Sequence, residues 1–464
     1  MKRITTLCVA LFATILASFA QDYSTYYKNL PVEMPVPELA QIPNNNVSIT
    51  DFGGVGDGLT LNTEAFAKAI AALDKMGGGH LNVPAGIWVT GPIVFKNNID
   101  LHLEKNAIIM ATSDRSLHLK DGKPMTLISA SKRKDISITG EGVIDGGGAM
   151  WRAVKRGKVS DVEWKEFTSM GGTITDDGSL WYPYDLKHFE NFAESYAKQE
   201  KLRTHLVRFT DCERVYISGV TLQNSPKFHL IPTRCKDVII DGVYVRCPWN
   251  AQNGDAIDLS SCRNALVVNN TVDAGDDGIC LKAGAGESGV KYGPCENILI
   301  ENNVVFHAHG GFVIGSEFSG GMKNIVVRNN RFSGTDTGLR FKSAVERGGL
   351  CENIYISDIY MTDIKGEAIV FECTYKNRAV GVEVDENNPT DAPFAPHFCD
   401  IHISNVTCLG TKDALVAEGV EGLRCIYDVT IENSTFFYTK SDGKIENAEI
   451  ELNNCNFVTY APLK

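Results

Sequence analysis

Four small polar clusters in the second half of the chain carry side chains able to do chemistry. They are Asn253 with Asp255, Asp276 with Asp277, His309, and Arg340 with Lys342. The steps between them are 276 − 255 = 21, 309 − 277 = 32 and 340 − 309 = 31 residues. If each step is one turn of a parallel β coil, the clusters stack on one face, with coils about 4.8 Å apart. Three carboxylates, an imidazole and two cations then converge on one groove. Mutual repulsion raises the proton affinity of at least one carboxyl, which makes it a donor, while the others stay charged and can activate water. That is the equipment for hydrolysing a glycosidic bond. Arg340 and Lys342 are two apart on a strand and so share a face. Together they suit an anionic group on a substrate. Taken singly, each cluster has a plainer reading: Asp276-Asp277 as a turn, Asp255 as a strand cap, His309 as a structural histidine, Arg340 and Lys342 as a solvated face. Their order and spacing favour the shared groove.

The elements that would position these clusters are visible as a repeat. DCERVYI (211–217), RCKDVII (234–240), SCRNALV (261–267), PCENILI (294–300) and LCENIYI (350–356) are one phrase, and GMKNIVV (321–327) repeats it with Met322 in the cysteine place. Asn269-Asn270, Asn302-Asn303 and Asn329-Asn330 form a second ladder. Short β-branched runs between Asn/Gly/Asp turns, without helical periodicity between them, predict a parallel β-solenoid of roughly ten coils. A β-sandwich is the alternative, and it does not explain like residues at like places. The open first coil needs a cap. TEAFAKAIAALDKM (63–76) predicts an amphipathic helix for it, with Thr63 as N-cap and Gly77-Gly78-Gly79 as the stop.

Two stretches break the repeat. Residues 148–200 hold Trp151, Trp164 and Trp181 with Tyr182, Tyr184, Phe189 and Phe192, and residues 376–397 carry Pro389, Pro393 and Pro396. Each reads either as a loop walling the groove or as a self-packed excursion over the coil edge.

Of the 464 residues, 45 are basic and 57 acidic. Residues 1–20 read as an export signal, with Lys2 and Arg3 before the apolar run Leu7–Leu16 and Ser18-Phe19-Ala20 at the cleavage site. Its removal leaves 43 bases against 57 acids, or −14, in one domain from 21 to 464 bound for the periplasm or the medium. That balance argues against nucleic acid as a partner. It does not exclude an acidic polysaccharide, because binding follows the local field in the cleft. No later segment predicts membrane insertion. Of thirteen cysteines, one is in the signal and the other twelve follow residue 211. Their ladder suits buried reduced thiols packed as small apolar side chains, although neighbouring coils are close enough for disulfides. With no Cys-x-x-Cys pair or Cys/His cluster, no metal is expected.

At this point the motifs resemble glycoside hydrolase family 28, the polygalacturonase family. Its Asn-Thr-Asp, Gly-Asp-Asp, Gly-His-Gly and Arg-Ile-Lys motifs stand here as Asn253-Gly254-Asp255, Gly275-Asp276-Asp277, Ala308-His309-Gly310 and Arg340-Phe341-Lys342. DFGGVGDG (51–58) and VPAGIW (83–88) resemble the opening of pectin-degrading β-helix proteins. The departures are Gly254 for Thr, Ala308 for Gly, Phe341 for Ile, and Gly278 where many members have Cys. None removes an ionisable group. The resemblance implies an all-β, single-stranded right-handed parallel β-helix and inverting hydrolysis of galacturonosyl linkages in pectin, with no cofactor. It implies Asp276 as general acid, Asp255 and Asp277 sharing the activation of water, and His309 supporting the acid. Arg340 and Lys342 would bind the uronate carboxylate, with Asn253 and Tyr375 at the sugar site. End-on cleavage is expected from the two insertions. Internal cleavage, a rhamnogalacturonan substrate and a non-catalytic pectin-binding solenoid are the alternatives. Oligomeric state is left open.

Overall fold

The computed structural model of the protein describes residues 22–185, 200–375 and 393–461. The predicted export signal, Phe189, Phe192 and most of the 376–397 stretch lie outside the described residues. The chain winds into a parallel β-helix. One column of the coil follows Val47, Leu81, Leu101, Ile138, Ile217, Ile240, Val267, Ile300, Val327, Ile356, Ile403, Ile431 and Leu452, each in parallel register with the next. That is thirteen rungs where the repeat predicts about ten coils. The extra rungs lie at the ends, where the cysteine phrase has decayed but the alternation persists.

The interior is a stack of like on like. Ile298, Ile325, Ile354 and Ile401 are fully buried and paired in register. Full burial of such a side chain contributes on the order of 1.5–3 kcal/mol relative to exposure. Cys295, Met322 and Cys351 are register partners, so the methionine does occupy the cysteine place. The twelve cysteines from Cys212 to Cys455 are free thiols, all buried except the half-buried Cys455. The asparagine ladder is a buried hydrogen-bonded chain. Asn270 Nδ2 donates to Asn303 Oδ1 at 2.9 Å, and Asn303 Nδ2 donates to Asn330 Oδ1 at 3.0 Å. Their neighbours Asn269, Asn302 and Asn329 hold φ of 54–59°, the left-handed turn that asparagine tolerates best after glycine.

Helix α1 (Thr63–Lys75) caps the first coil and buries Ala65, Phe66, Ala69, Ile70 and Leu73. The N-cap is Asn62, not Thr63, and Asn62 makes no capping bond there. The Thr63 hydroxyl instead accepts from the Gly91 N–H at 2.7 Å. Two short helices, α2 (Asp161–Ser169) and α3 (Gly286–Tyr292), were not expected. The first carries a Ser160/Glu163 capping box, a legible start signal.

The groove sheet contains seven successive strands: β1 (Val207–Thr210), β2 (Leu230–Thr233), β3 (Ile257–Ser260), β4 (Ile279–Lys282), β5 (Phe312–Gly315), β6 (Leu339–Lys342) and β7 (Glu367–Glu372). The first long insertion leaves the coil after Asp145 and rejoins it at β1. It forms a small antiparallel sheet, with Leu180–Tyr182 between Val154–Lys155 and Thr173–Ile174. Most of its described aromatics face inward. Trp151, Trp181, Tyr182 and Tyr184 are buried. The Arg115 guanidinium is sandwiched between Trp151 (4.3 Å) and Tyr184 (4.1 Å). An excursion this far from the coil core needs a core of its own, and these rings supply it.

Candidate active site

Alternation along the groove strands decides what faces out. In β3, Ile257 and Leu259 point inward and Asp258 outward; in β4, Ile279 and Leu281 point inward and Cys280 and Lys282 outward; in β6, Leu339 and Phe341 point inward and Arg340 and Lys342 outward. Phe341, one of the motif departures, stacks on Phe371 at 4.3 Å in the core. Asp255, Asp276 with Asp277, and His309 sit in the turns entering β3, β4 and β5.

The structure brings the expected residues together as interlocking pairs. His309 Nδ1 lies 2.9 Å from Asp276 Oδ1. The other Asp276 oxygen accepts from the Asn253 backbone N–H at 3.1 Å. Asp277 Oδ2 accepts from Lys342 Nζ at 2.7 Å, and Arg340 lies 3.8 Å from Asp277 Oδ1. The Tyr375 ring stands 5.5 Å from the Arg340 guanidinium and 5.2 Å from the Lys342 ammonium. Asn253 enters differently from the expectation. Its side-chain oxygen is taken by Arg203 at 2.7 Å, so what it gives the acidic cluster is its backbone N–H.

Four further side chains belong to the cluster and were missed. Lys282 Nζ bridges Asp258 Oδ2 (2.6 Å) and Asp255 Oδ2 (3.2 Å), over the Phe228 ring at 4.7 Å. The signal for Asp258 and Lys282 was the same strand alternation that picked out Arg340 and Lys342. Arg203 fixes Asn253. Lys158, from the insertion, places its ammonium 3.1 Å from His309 Nε2. No spacing in the repeat points to it, because it lies outside the repeat.

The charges sort the carboxyls. Burial pushes Asp255 well above the usual carboxylate range; Lys282 opposes this, and the charges of Asp276, Asp258 and Asp277 add to it. Burial likewise raises Asp258 to about 6 against the pull of Lys282. Asp276 and Asp277 go the other way. Burial would raise Asp276, but its hydrogen bond with His309, then Lys342 and Lys282, outweigh this and hold it below the usual range. For Asp277 burial is outweighed by Lys342 and Arg340. The raised carboxyl that mutual repulsion predicts is therefore Asp255, joined by Asp258. Asp255 Oδ1, Asp258 Oδ1 and Asp277 Oδ1 are buried without a hydrogen-bond partner. Such orphan acceptors suit the hydroxyls of a sugar or a water. Asp276, Asp277 and His309 also bring one donor atom each within 4.8 Å. A cation there would have to displace Lys342 from Asp277 and Lys158 from His309.

Two motif departures are matched by their surroundings. A Cβ at Gly254 would lie 3.3 Å from Ala251 Cβ, so the 247–252 loop closes where other members carry Thr. A Cβ at Gly278 would lie 2.9 Å from Val305 Cγ1.

The profile of the glycosyl hydrolases family 28 matches residues 156–456. The chain is 28% identical over 379 residues to an exo-poly-α-D-galacturonosidase of Dickeya chrysanthemi, covering 78% of this chain and 62% of that one. It therefore spans less than two thirds of that relative's length. It is 27% identical over 412 residues to a probable polygalacturonase of Vitis vinifera, covering 83% and 74%. Among solved structures, the hyperthermoactive exopolygalacturonase of Thermotoga maritima superposes with a TM-score of 0.73 at 30% identity, over 91% of this chain and 94% of that one. With its acids, histidine and paired cations on one face of a parallel β-helix, this chain belongs to glycosyl hydrolases family 28.

Proposed function

We propose that the protein is a polygalacturonase, cleaving α-1,4-galacturonosyl linkages in pectin with inversion and working from the non-reducing end. The observation that carries the substrate class is the Arg340, Lys342 and Tyr375 corner beside the acids, since a uronate offers both a carboxylate for the cations and a ring face for the tyrosine. Asp276 protonates the glycosidic oxygen. Asp277, held ionised by Lys342, accepts the proton of the attacking water, and Asp255 orients that water. His309 supports the acid. The names of the Dickeya and Thermotoga relatives support end-on action. So does the course of the insertion. It rejoins the coil at β1, yet its Lys158 meets His309 at the entry to β5, four strands or roughly 19 Å along the groove. A chain lying in the groove runs into it.

A reducing-sugar assay on polygalacturonate tests the reading. Steady release of saturated products supports it. Binding without release marks a non-catalytic solenoid, and release from rhamnogalacturonan alone marks the other branch. Within this reading, Arg340→Gln raises KM for galacturonate oligomers by about ten- to a hundredfold, the loss of one charged partner of a buried carboxylate. Unchanged KM would make Arg340 a structural cation.

A further inference from the structure

His309 is held from both sides. Nδ1 faces Asp276 Oδ1 at 2.9 Å and Nε2 faces Lys158 Nζ at 3.1 Å. An ammonium has donors only, so Nε2 must accept and the ring proton must lie on Nδ1, pointing at Asp276. An imidazolium, with hydrogen on both nitrogens, cannot make the Lys158 contact. The competing partner of Nε2 is Asp336 Oδ2, which would welcome an imidazolium but stands at 3.8 Å, beyond hydrogen-bond reach. Lys365, 3.5 Å from Asp336, draws off part of its charge. Lys158 is half-buried and, among the described residues, has no carboxylate within ion-pair distance. Its position is set by the start of the insertion. Arg152 is bonded to Ser225 O and Asn224 Oδ1, and Gln252 Nε2 donates to Ala153 O at 3.2 Å.

We infer that Lys158 is a positioning residue that keeps His309 a neutral imidazole, so that the proton taken up for catalysis goes to Asp276 and not to the ring. Asp276 and His309 form one pair. Once the pair has taken up the proton that catalysis needs, it is either carboxylic acid with imidazole or carboxylate with imidazolium. The second form has no proton to give the glycosidic oxygen. The ammonium at Nε2 penalises that second form by direct repulsion and by loss of its own hydrogen bond. The groups facing the pair are Asp277, Asp255, Arg340, Lys342 and Lys282 from the groove strands and turns, Asp336 and Lys365 from the following coils, and Lys155 from the insertion. Of these, Asp336 and Lys158 face Nε2, and only Lys158 is at bonding distance. The insertion thus supplies a group that selects the active form of the acid. The inference rests on the assignment of Asp276 as the acid.

The test uses Lys158→Met in the full-length protein. Labelled-histidine NMR of the free protein, with His309 assigned from the signal lost in His309→Gln, reads the proton directly. The ratio of imidazolium to imidazole at His309 should rise about tenfold at a given pH, one pH unit in its midpoint. On galacturonate oligomers kcat should fall about tenfold at mildly acidic pH, with KM within about twofold, since the bound state is unchanged and only the proton is misplaced. Added to His309→Gln, Lys158→Met should cost less than about twofold, because both act through one ring. An unmoved His309 titration overturns the inference. So does a KM rise without it, which would make Lys158 a substrate contact, or an equal loss in both backgrounds. The NMR arm needs no substrate. If His309 shifts as stated but no galacturonate polymer is cleaved, the functional reading fails and the tuning of His309 stands.

Discussion

Asp276→Asn leaves a folded protein whose turnover on polygalacturonate falls by about 10²–10⁴. An amide cannot deliver a proton to the leaving oxygen, and its one oxygen can accept from the Asn253 N–H or from His309 Nδ1–H but not from both, so a single hydrogen bond of the turn is lost. Folding is therefore little disturbed and the melting temperature stays close to the parent's. Asp277→Asn falls by a similar factor for a different reason. It removes the carboxylate that takes the proton from water and leaves Lys342 buried without its partner. kcat measured beside thermal melting separates chemistry from folding. Near-parental kcat in Asp276→Asn would remove it from the mechanism, and collapse of the melting temperature would make the pair a structural one.

Lys282→Met has the largest expected effect on stability. Lys282 holds two buried carboxyls, Asp258 at 2.6 Å and Asp255 at 3.2 Å. Removing one member of a buried ionic group typically costs about 3–5 kcal/mol, because the remaining charge is stranded. The cost must depend on pH. Both carboxyls already bind protons more tightly folded than unfolded, Asp258 with a value of about 6. A group raised in this way contributes stability that is full below its unfolded value, about 3.9, and is lost as pH rises through the folded value. Without Lys282 the folded values climb further, so the fall with pH steepens. Urea unfolding at pH 4 and pH 7.5 checks this. The deficit should be small at pH 4, where both carboxyls are protonated in the variant, and near its full size at pH 7.5. An equal deficit at both pH values would mean that packing, not charge, is lost.

The coil was legible because it is repetitive. Six rungs repeat one phrase, five with cysteine and one with methionine in the same place, and a one-residue slip would turn every inward side chain outward. The repeat also carries a second signal. In DVII, ALVV, NILI and NIVV successive residues are apolar rather than alternating, a sign that both faces are covered. The outer positions Ile239, Leu266, Leu299 and Val326 are covered by the N-terminal segment through Tyr23 and Met34. Nothing in residues 22–34 repeats, so the strap had no periodic signal. In the site, residues fixed by the coil were found: Asp255, Asp276, Asp277, His309, Arg340, Lys342. Asp258 and Lys282 share the coil's alternation but no motif drew attention to them. Lys158 and Arg203 reach the site across non-repeating backbone, where spacing carries no information about distance. The electrostatic order was also hidden. Which of several clustered acids holds a proton depends on burial and on cation contacts of 2.6–3.2 Å, which composition does not encode.

The central claim is that the insertion closes one end of the groove and the acids cut a galacturonate chain from that end. Viscosity and product release, followed together on polygalacturonate from the first minute, test it most directly. The account predicts small galacturonate units as the first products while viscosity falls only in step with the bonds broken. An early collapse of viscosity with a spread of longer oligomers would contradict it, and would return residues 148–200 to the role of a cover on the coil edge.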